Sequence, residues 1–227
     1  MAFAQGSRSS LSYITETAFG TTPSTPTFAF LQMNTHSLDL TKDRVEGNEI
    51  QADRMTRVDR HGNKQAGGSI EVDLRKGDYD ELFESAFFNS YATNVLKVGT
   101  TPKYFSMEDA ANDIAQFRLF TGLAVSSTNI SIAPNQMVTA TFDMVGKGMT
   151  QSGTTGSTGG TPTASSTNAP FDSYSGTITD GGSGISIVTS IDFSLTNSLA
   201  PTFVVGADNA QSLEFGRAVV EGLTSLV

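Results

Sequence analysis

The sequence of 227 residues has no cysteine, no tryptophan and two histidines, His36 and His61. Without cysteine it can form neither a disulfide nor a thiolate nucleophile, which is compatible with synthesis in a reducing cytoplasm. Two imidazoles without any thiolate exclude a structural zinc site. We therefore expect no metal, no cofactor and no enzymatic activity.

Long apolar runs are also missing. No stretch has the length of a membrane span, and the first residues lack the apolar segment of a secretory signal peptide, so we expect neither membrane insertion nor export.

The sequence also contains no complete nucleotide-binding or hydrolase motif. The Gly146-Lys147-Gly148 run lacks the upstream glycine and the hydroxyl residue of a phosphate-binding loop, and the glycine cluster at 181–184 does not fit a nucleophile elbow.

Charge is sparse and unevenly placed. Charged residues make up 16% of the chain and the formal net charge is −9, so the protein as a whole should repel nucleic acid rather than hold it. Eight of the fourteen basic residues nevertheless lie between Lys42 and Lys76. The segment between Lys42 and Lys64 alone carries eleven charges, with few large apolar residues among them.

What remains is typical of a mainly β chain of one domain, residues 1–227. It has 22 glycines and abundant serine and threonine, which suit short strands and turns. Period-two alternation predicts strands at 36–41, 69–75 and 117–125, a hairpin at 130–144 turning at Pro134-Asn135, and a central strand at 185–195. Further strands are predicted at 103–108, 203–205 and 213–220, the last two closing the sheet.

One short helix is predicted after residue 78. Asp78 stands three residues before Glu81, the spacing of a capping box. Apolar residues then follow at helical spacing, namely Tyr79, Leu82, Phe83, Ala86 and Phe87.

Three segments are predicted to lie outside this core. Residues 1–27, rich in Ser, Thr and Pro, should form an extended N-terminal arm. Residues 42–68 should form a long charged loop between two strands, either exposed and paired with itself or ordered by another copy of the chain. Residues 151–168, without charge or bulk, should form a flexible surface loop.

Several of these runs together resemble the tail tube (major tail) proteins of long-tailed, non-contractile bacteriophages. The similarity lies in Glu49-Ile50-x-x-Asp53-Arg54, Arg60-His61-Gly62-Asn63, Gly67-Gly68-x-Ile70-x-Val72, and Ser12-Tyr13-Ile14-x-Glu16-x-x-Phe19-Gly20-Thr21-Thr22-Pro23.

The resemblance implies a β-sandwich or half-barrel with one flanking helix. It also implies hexameric rings that stack into a hollow tail tube of the virion, which conducts DNA without binding it specifically. Expected partners are further copies of the chain and the tail tip or initiator, tape measure and terminator proteins, with synthesis in the host bacterial cytoplasm. The alternatives are a stand-alone β-sandwich module that binds carbohydrate or acts as an adhesin, another ring-forming tail component, or the tube of a contractile tail.

Two sets of site residues follow. In the charged loop, Arg54, Arg57 and Arg60, together with Glu49, Asp53 and Asp59, are expected to make contacts between subunits or between rings. Acidic residues on predicted strand faces are expected to line the lumen; these are Glu71, Asp73, Asp143 and Asp192.

Overall fold

The computed structural model describes residues 8–49, 52–53, 55, 58–153, 161–180, 182–184 and 187–226. In that part of the chain the fold is mainly β, a curled half-barrel sheet with one helix, as predicted. The helix α1 covers Asp80–Phe87. The strands are β1 Ser9–Thr15, β2 Ala29–Leu31, β3 Thr35–His36, β4 Asp39–Val45, β5 Arg60–Asp73, β6 Phe105–Ala111, β7 Gln116–Ile132, β8 Thr139–Gly146, β9 Gly148–Ser152, β10 Thr179–Asp180, β11 Ser183–Gly184, β12 Val188–Thr196, β13 Leu199–Thr202, β14 Ser212–Phe215 and β15 Val219–Leu226.

The long strand β7 belongs to two parts of the sheet. Its first half pairs with β6 and β9, and beyond them lie β1 and β2. Its second half pairs with β8 on one side and β12 on the other, which gives the order β3/β4-β5-β8-β7-β12-β15. Gly122, at φ +68°, and a register shift between Val125 and Ser127 lie where the partners change, as expected of a strand that bends between two packed layers.

The core lies inside this curl, closed by α1. Strands β5, β6, β7 and β8 supply Ile70, Met107, Leu123 and Phe142, all fully buried. The predicted alternation is confirmed for the 130–144 hairpin, in which Ala140, Phe142 and Met144 are buried while Asp143 is exposed. Burial of such apolar side chains contributes roughly 1.5–3 kcal/mol each.

A buried carboxylate fixes the bend in β7. The side chain of Glu16, 8% exposed, accepts hydrogen bonds from the Gly122 N–H (2.8 Å), the Ser106 hydroxyl (2.7 Å) and the Gly20 N–H (2.6 Å). The aromatic ring of Phe19 lies beside it, and a side chain at Gly122 would meet this ring at 2.8 Å. The N-terminal motif that contains Glu16 and Phe19 therefore stabilises the packing of the sheet.

The helix is confirmed but its predicted cap is wrong. It begins at Asp80, Tyr79 takes the N-cap position, and no side chain caps it. Packing sets the start instead, because the Tyr79 side chain is 1% exposed and its hydroxyl donates to the Gln32 carbonyl (2.8 Å). Leu82 and Ala86 are buried as predicted.

Two of the predicted loops are shorter than expected. The arm at 1–27 is wrong for Ser9–Thr15, which is strand β1 between β2 and β6. The loop at 42–68 is wrong at both ends, because β4 and β5 pair from Asp39 opposite Gly67 out to Val45 opposite Arg60. In both stretches apolar residues are too few to show alternation, and backbone pairing with distant strands makes them β.

The predicted surface loop at 151–168 is partly tied to the sheet. Residues 151 and 152 belong to β9. Thr163 exchanges backbone hydrogen bonds with Phe28 and Phe30 beside β2. Residues 154–160 lie outside the described residues.

The C-terminal strands differ from the prediction in where they pair. Residues 203–205 lie outside the strands, β13 and β14 form a separate two-stranded sheet, and β15 joins β12 at the edge of the large sheet. The central strand begins at Val188; Ile185 is not among the described residues, and Ile187 is 50% exposed rather than inward-facing.

Candidate functional site: an acidic sheet face between two open edges

The four acidic residues predicted for the lumen lie on one face of one sheet. Glu71 and Asp73 are on β5, Asp143 is on the neighbouring β8, and Asp192 is on β12. The register aligns Ser69 with Asp143, and aligns Asp192 with Ser131 of β7. Because directly opposed residues of paired strands point to the same side, these side chains share a single surface.

Neutral polar side chains separate the carboxylates. Between β8 and β12, β7 contributes Ser127, Asn129 and Ser131 to this face. The Ser127 hydroxyl donates to Asp143 (2.5 Å), and the Ser131 hydroxyl donates to Asp192 (2.7 Å). At the other side of the face, the Asn34 amide donates to Asp73 (2.8 Å). These donors orient the carboxylates without neutralising their charge.

A fifth acidic residue was missed. Glu221 of β15 lies opposite Ser194 of β12, which places it on the same face as Asp192. The predicted last strand ended at Val220, so Glu221 fell outside it. The sequence of β15 gives no clear signal for it, because the apolar residues Val219 and Leu223 lie on the same face as Glu221.

Both lateral edges of this face are open within the described residues. On one side β15 pairs only with β12, and on the other side β3 and β4 pair only with β5. Strand β15 exposes three apolar side chains at the edge, Val219 (48%), Val220 (50%) and Leu223 (65%). Val220 lies opposite the buried Leu195, so its side chain points to the core side of the sheet. It is half exposed because no further strand covers the core at this edge.

The β4–β5 hairpin carries the predicted contact residues at its tip. Asp59 pairs with Arg44 (2.7 Å), Arg44 also reaches Glu46 (3.3 Å), and the Asp53 carboxylate accepts the Met55 N–H (3.1 Å). Arg60 begins β5 opposite Val45, and Glu49 is exposed. Arg54 and Arg57 lie outside the described residues. Three apolar side chains are exposed among these charges, namely Val45, Met55 and Val58.

A second charged cluster is structural. Asp109 of β6 accepts two hydrogen bonds from the Arg118 guanidinium (2.6 and 3.1 Å), and His36 lies 3.7 Å away. Burial alone would raise the pKa of Asp109, but the hydrogen bonds and charges of His36 and Arg118 outweigh it and hold that pKa below its ordinary value. The contact between His36 and Asp109 thus connects β3, at one edge of the sheet, with β6.

The described residues contain no group of three or more His, Asp or Glu side chains arranged to hold a metal ion. No helix in this part of the chain has both the length and the apolar character needed to cross a membrane.

Comparison with known proteins gives a family match over nearly the whole chain. The model of a family described as phage tail tube protein matches residues 6–226. No curated protein sequence matches.

Among solved structures, similar chains come from cryo-EM assemblies of contractile systems. The sheath/tube terminator of the extracellular contractile injection system PVC is 14% identical to this chain, with a TM-score of 0.44. The match covers 67% of this chain and 98% of the terminator chain. A chain of the anti-feeding prophage baseplate is 10% identical, with TM-score 0.45 and coverage of 67% and 97%. A chain of the PVC sheath–tube complex is 12% identical, with TM-score 0.44 and coverage of 66% and 92%.

Proposed function

Because the chain belongs to the phage tail tube protein family, and so is a structural tail component, we propose that six copies close into a ring and that rings stack into a hollow tube. The tube conducts phage DNA into the host. The observation that carries this proposal is the acidic face, which spans one sheet between two open edges. The family match favours this function over the stand-alone binding module.

Ring closure uses the two open edges. An unpaired edge strand presents N–H and C=O groups that favour pairing with another chain. We assign β15 of one copy to the β3/β4 edge of the next, so that the sheets join side by side and cover Val220. Repetition of this contact around an axis closes a ring in which every acidic face points the same way.

The acidic face then lines the bore. Six copies at −9 each carry about −54 formal charge per ring, and Glu71, Asp73, Asp143, Asp192 and Glu221 concentrate part of it on this wall. A bore of this sign repels phosphate, so DNA slides through without adhering. The hydroxyl groups of β7 keep the wall polar between the carboxylates.

The hairpin tip makes contacts beyond the subunit. The pairing of β4 with β5 ends at Val45 opposite Arg60, and the sequence between these two residues has too few large apolar residues to form a core of its own. We assign Arg54, Arg57 and Arg60, with Glu49, Asp53 and Asp59, to ion pairs between subunits or rings. The Asp59–Arg44 pair within one chain positions the tip for that contact.

The protein thus acts in the virion, after synthesis in the bacterial cytoplasm. Its partners are other copies and the tail proteins that begin, measure and end the tube. It has a structural role and carries out no catalysis. We assign it to a long, non-contractile tail on the strength of the sequence motifs.

Substitution at the β15 edge tests this function. Val220→Asp places a charge where the neighbouring sheet should cover the core, and it should abolish rings in electron micrographs of the purified protein while circular dichroism stays β-rich. Val98→Asp is the matched control, because Val98 is equally exposed (51%) but lies in the loop after α1. Rings of normal appearance from Val220→Asp would contradict the edge contact.

A further inference from the structure

An apolar groove lies at one end of the sheet, where β7 turns into β8. It measures about 680 Å³, and its walls include Leu74, Val138, Phe171, Ile178 and Ile191. The segment carrying Phe171 is fixed to the sheet, because the Phe171 N–H donates to the Leu74 carbonyl (2.8 Å) and the Val138 N–H donates to the Phe171 carbonyl (2.9 Å). Phe171 is nevertheless 47% exposed and Ile178 is 37% exposed. The groove is therefore a formed apolar surface that lacks a cover within the described residues.

At the opposite end, the turn between β13 and β14 presents two valines. Val205 is fully exposed (106%) and Val204 is half exposed (50%). The turn is closed by a hydrogen bond from the Ala207 N–H to the Val204 carbonyl (3.2 Å), with Gly206 at φ +91°. It is anchored to β5, because the Lys64 N–H donates to the Asp208 carbonyl (2.6 Å) and the two side chains form an ion pair. A fixed turn that exposes two apolar side chains loses little entropy when it is buried by a partner.

The groove and the turn cannot meet within one chain. The turn is anchored at Lys64 of β5 and the groove begins at Leu74, the residue that follows the end of β5. Ten residues of extended chain correspond to about 30 Å. Two different patches at opposite ends of one molecule can join only between copies, head to tail. Such a contact does not close on itself and generates a stack.

The charges beside the two patches are complementary. Lys42 and Lys64 stand directly opposite each other on β4 and β5, an unfavourable pair of like charges, and the carboxylate that interacts with both is Asp208. These three side chains together carry one net positive charge beside the valine turn. The groove contains Asp172, whose pKa is held below its ordinary value by hydrogen bonds from Ser175 and Tyr174. An ionised Asp172 therefore offers the excess lysine a partner from another copy.

We infer that the Val204–Val205 turn of one copy inserts into the Leu74–Phe171–Ile178 groove of a copy in the adjacent ring, with Asp172 facing the Lys42–Lys64 pair. This contact rests on the proposed tube, and it names the surfaces through which one ring recognises the next. It is separate from the β15 edge, which joins copies within a ring.

The absence of native cysteine allows a direct test. A Val205→Cys/Ile178→Cys double variant, assembled and then oxidised, should give a ladder of covalent multimers on a non-reducing gel, because each copy links to one above and one below. The two single variants and a Val205→Cys/Val98→Cys pair are the controls and should remain at or below the dimer. A crosslink within one chain, or a ladder formed by isolated rings, would overturn the inference.

A second variant measures the energetic role of the turn. Val205→Asp should raise the protein concentration needed for tube growth by at least about tenfold, because it would bury a carboxylate in an apolar groove. Rings should still form. If the unaltered chain grows tubes while Val205→Asp grows them equally well and the cysteine pair gives no ladder, the contact is wrong and the proposed function stands. If the unaltered chain forms no rings or tubes at any concentration, both fail.

Discussion

The carboxylate of Glu16 accepts a hydrogen bond from the backbone N–H of Gly122, 106 residues further along the chain, at 2.8 Å. The same side chain holds the Ser106 hydroxyl and the Gly20 N–H. It thereby joins the end of β1, the following turn, β6 and the bend of β7 at one point. The curl of the sheet, and with it the orientation of the acidic face relative to the open edges, depends on that point.

We predict that Glu16→Ala destabilises the fold by about 3 kcal/mol or more, because two buried donors and one part-buried donor lose their acceptor. Thr17→Ala, at an exposed neighbour, should change stability by less than about 0.5 kcal/mol. Chemical denaturation of the unassembled protein measures both. Equal midpoints for the two variants would show that the Glu16 network does not hold the bend.

Asp109 should make stability depend on pH in the acid range. Its folded-state pKa lies below the ordinary value of 3.8. Its contribution to the free energy of unfolding is therefore fully present above about pH 3.8 and is lost as the pH falls through the folded-state pKa. Asp109→Asn should therefore lower the free energy of unfolding by about 2 kcal/mol near neutral pH. The difference in this free energy between the variant and the unaltered chain should shrink below about pH 3.8.

Unfolding curves at neutral pH and at several acidic pH values check this dependence. Asp80→Asn, which alters an exposed carboxylate on α1, is the control for the general change in charge. If the difference in free energy of unfolding between Asp109→Asn and the unaltered chain stays constant down to the lowest pH, the buried pair stabilises the fold through packing and not through its charge.

Charge reversal on the acidic face should affect DNA and not assembly. Glu71→Lys combined with Asp143→Lys should leave tubes intact, because neither residue belongs to a strand at the edge of the sheet. The tubes should then retain DNA in a salt-sensitive manner, since lysines in the bore attract phosphate. Co-sedimentation of labelled DNA with assembled tubes measures this retention.

The control reverses a carboxylate outside that face. Glu214→Lys, on the separate β13–β14 sheet, has a charge change of the same sign and should not retain DNA. Retention by Glu214→Lys tubes as strong as that of the Glu71/Asp143 variant would mean that the DNA adheres to the outside.

The hairpin tip should contribute to assembly through its arginines. Replacing Arg54, Arg57 and Arg60 by alanine should lower the yield of tubes, and the loss should be larger at low salt, where ion pairs are least screened. A triple variant of Lys76, Lys97 and Arg217 to alanine removes three exposed cations elsewhere in the chain and should assemble normally. Unchanged tube yield from the arginine variant, measured by sedimentation, would rule out this role.

Sequence patterns predicted the strands in which apolar residues alternate. The 130–144 hairpin and the inward face of β5 were predicted because Ile70, Val72, Ala140 and Phe142 follow a period of two, which local geometry imposes on any half-buried strand. Strand β1 and the first half of β5 could not be found this way. Their residues are mostly Ser, Gly and polar, and they are strands because distant partners satisfy their backbone groups.

The candidate site was predictable to the same extent. Alternation showed that Glu71, Asp143 and Asp192 each point away from the core, but only the register of β5, β8, β7 and β12 places them on one surface. The helix start was mispredicted for a related reason. Burial of Tyr79 against β8 and the Gln32 carbonyl outweighs the capping preference of Asp78, and a local motif carries no information about that packing.

Electron cryomicroscopy of the assembled, purified chain is the decisive experiment for the proposed tube. We predict rings of six copies in which β15 lies beside the β3/β4 edge of the next copy and Glu71, Asp143 and Asp192 face the bore. A tube in which these carboxylates lie on the outer surface, or a chain that stays monomeric even when a phage tail-tip extract is added, would contradict it.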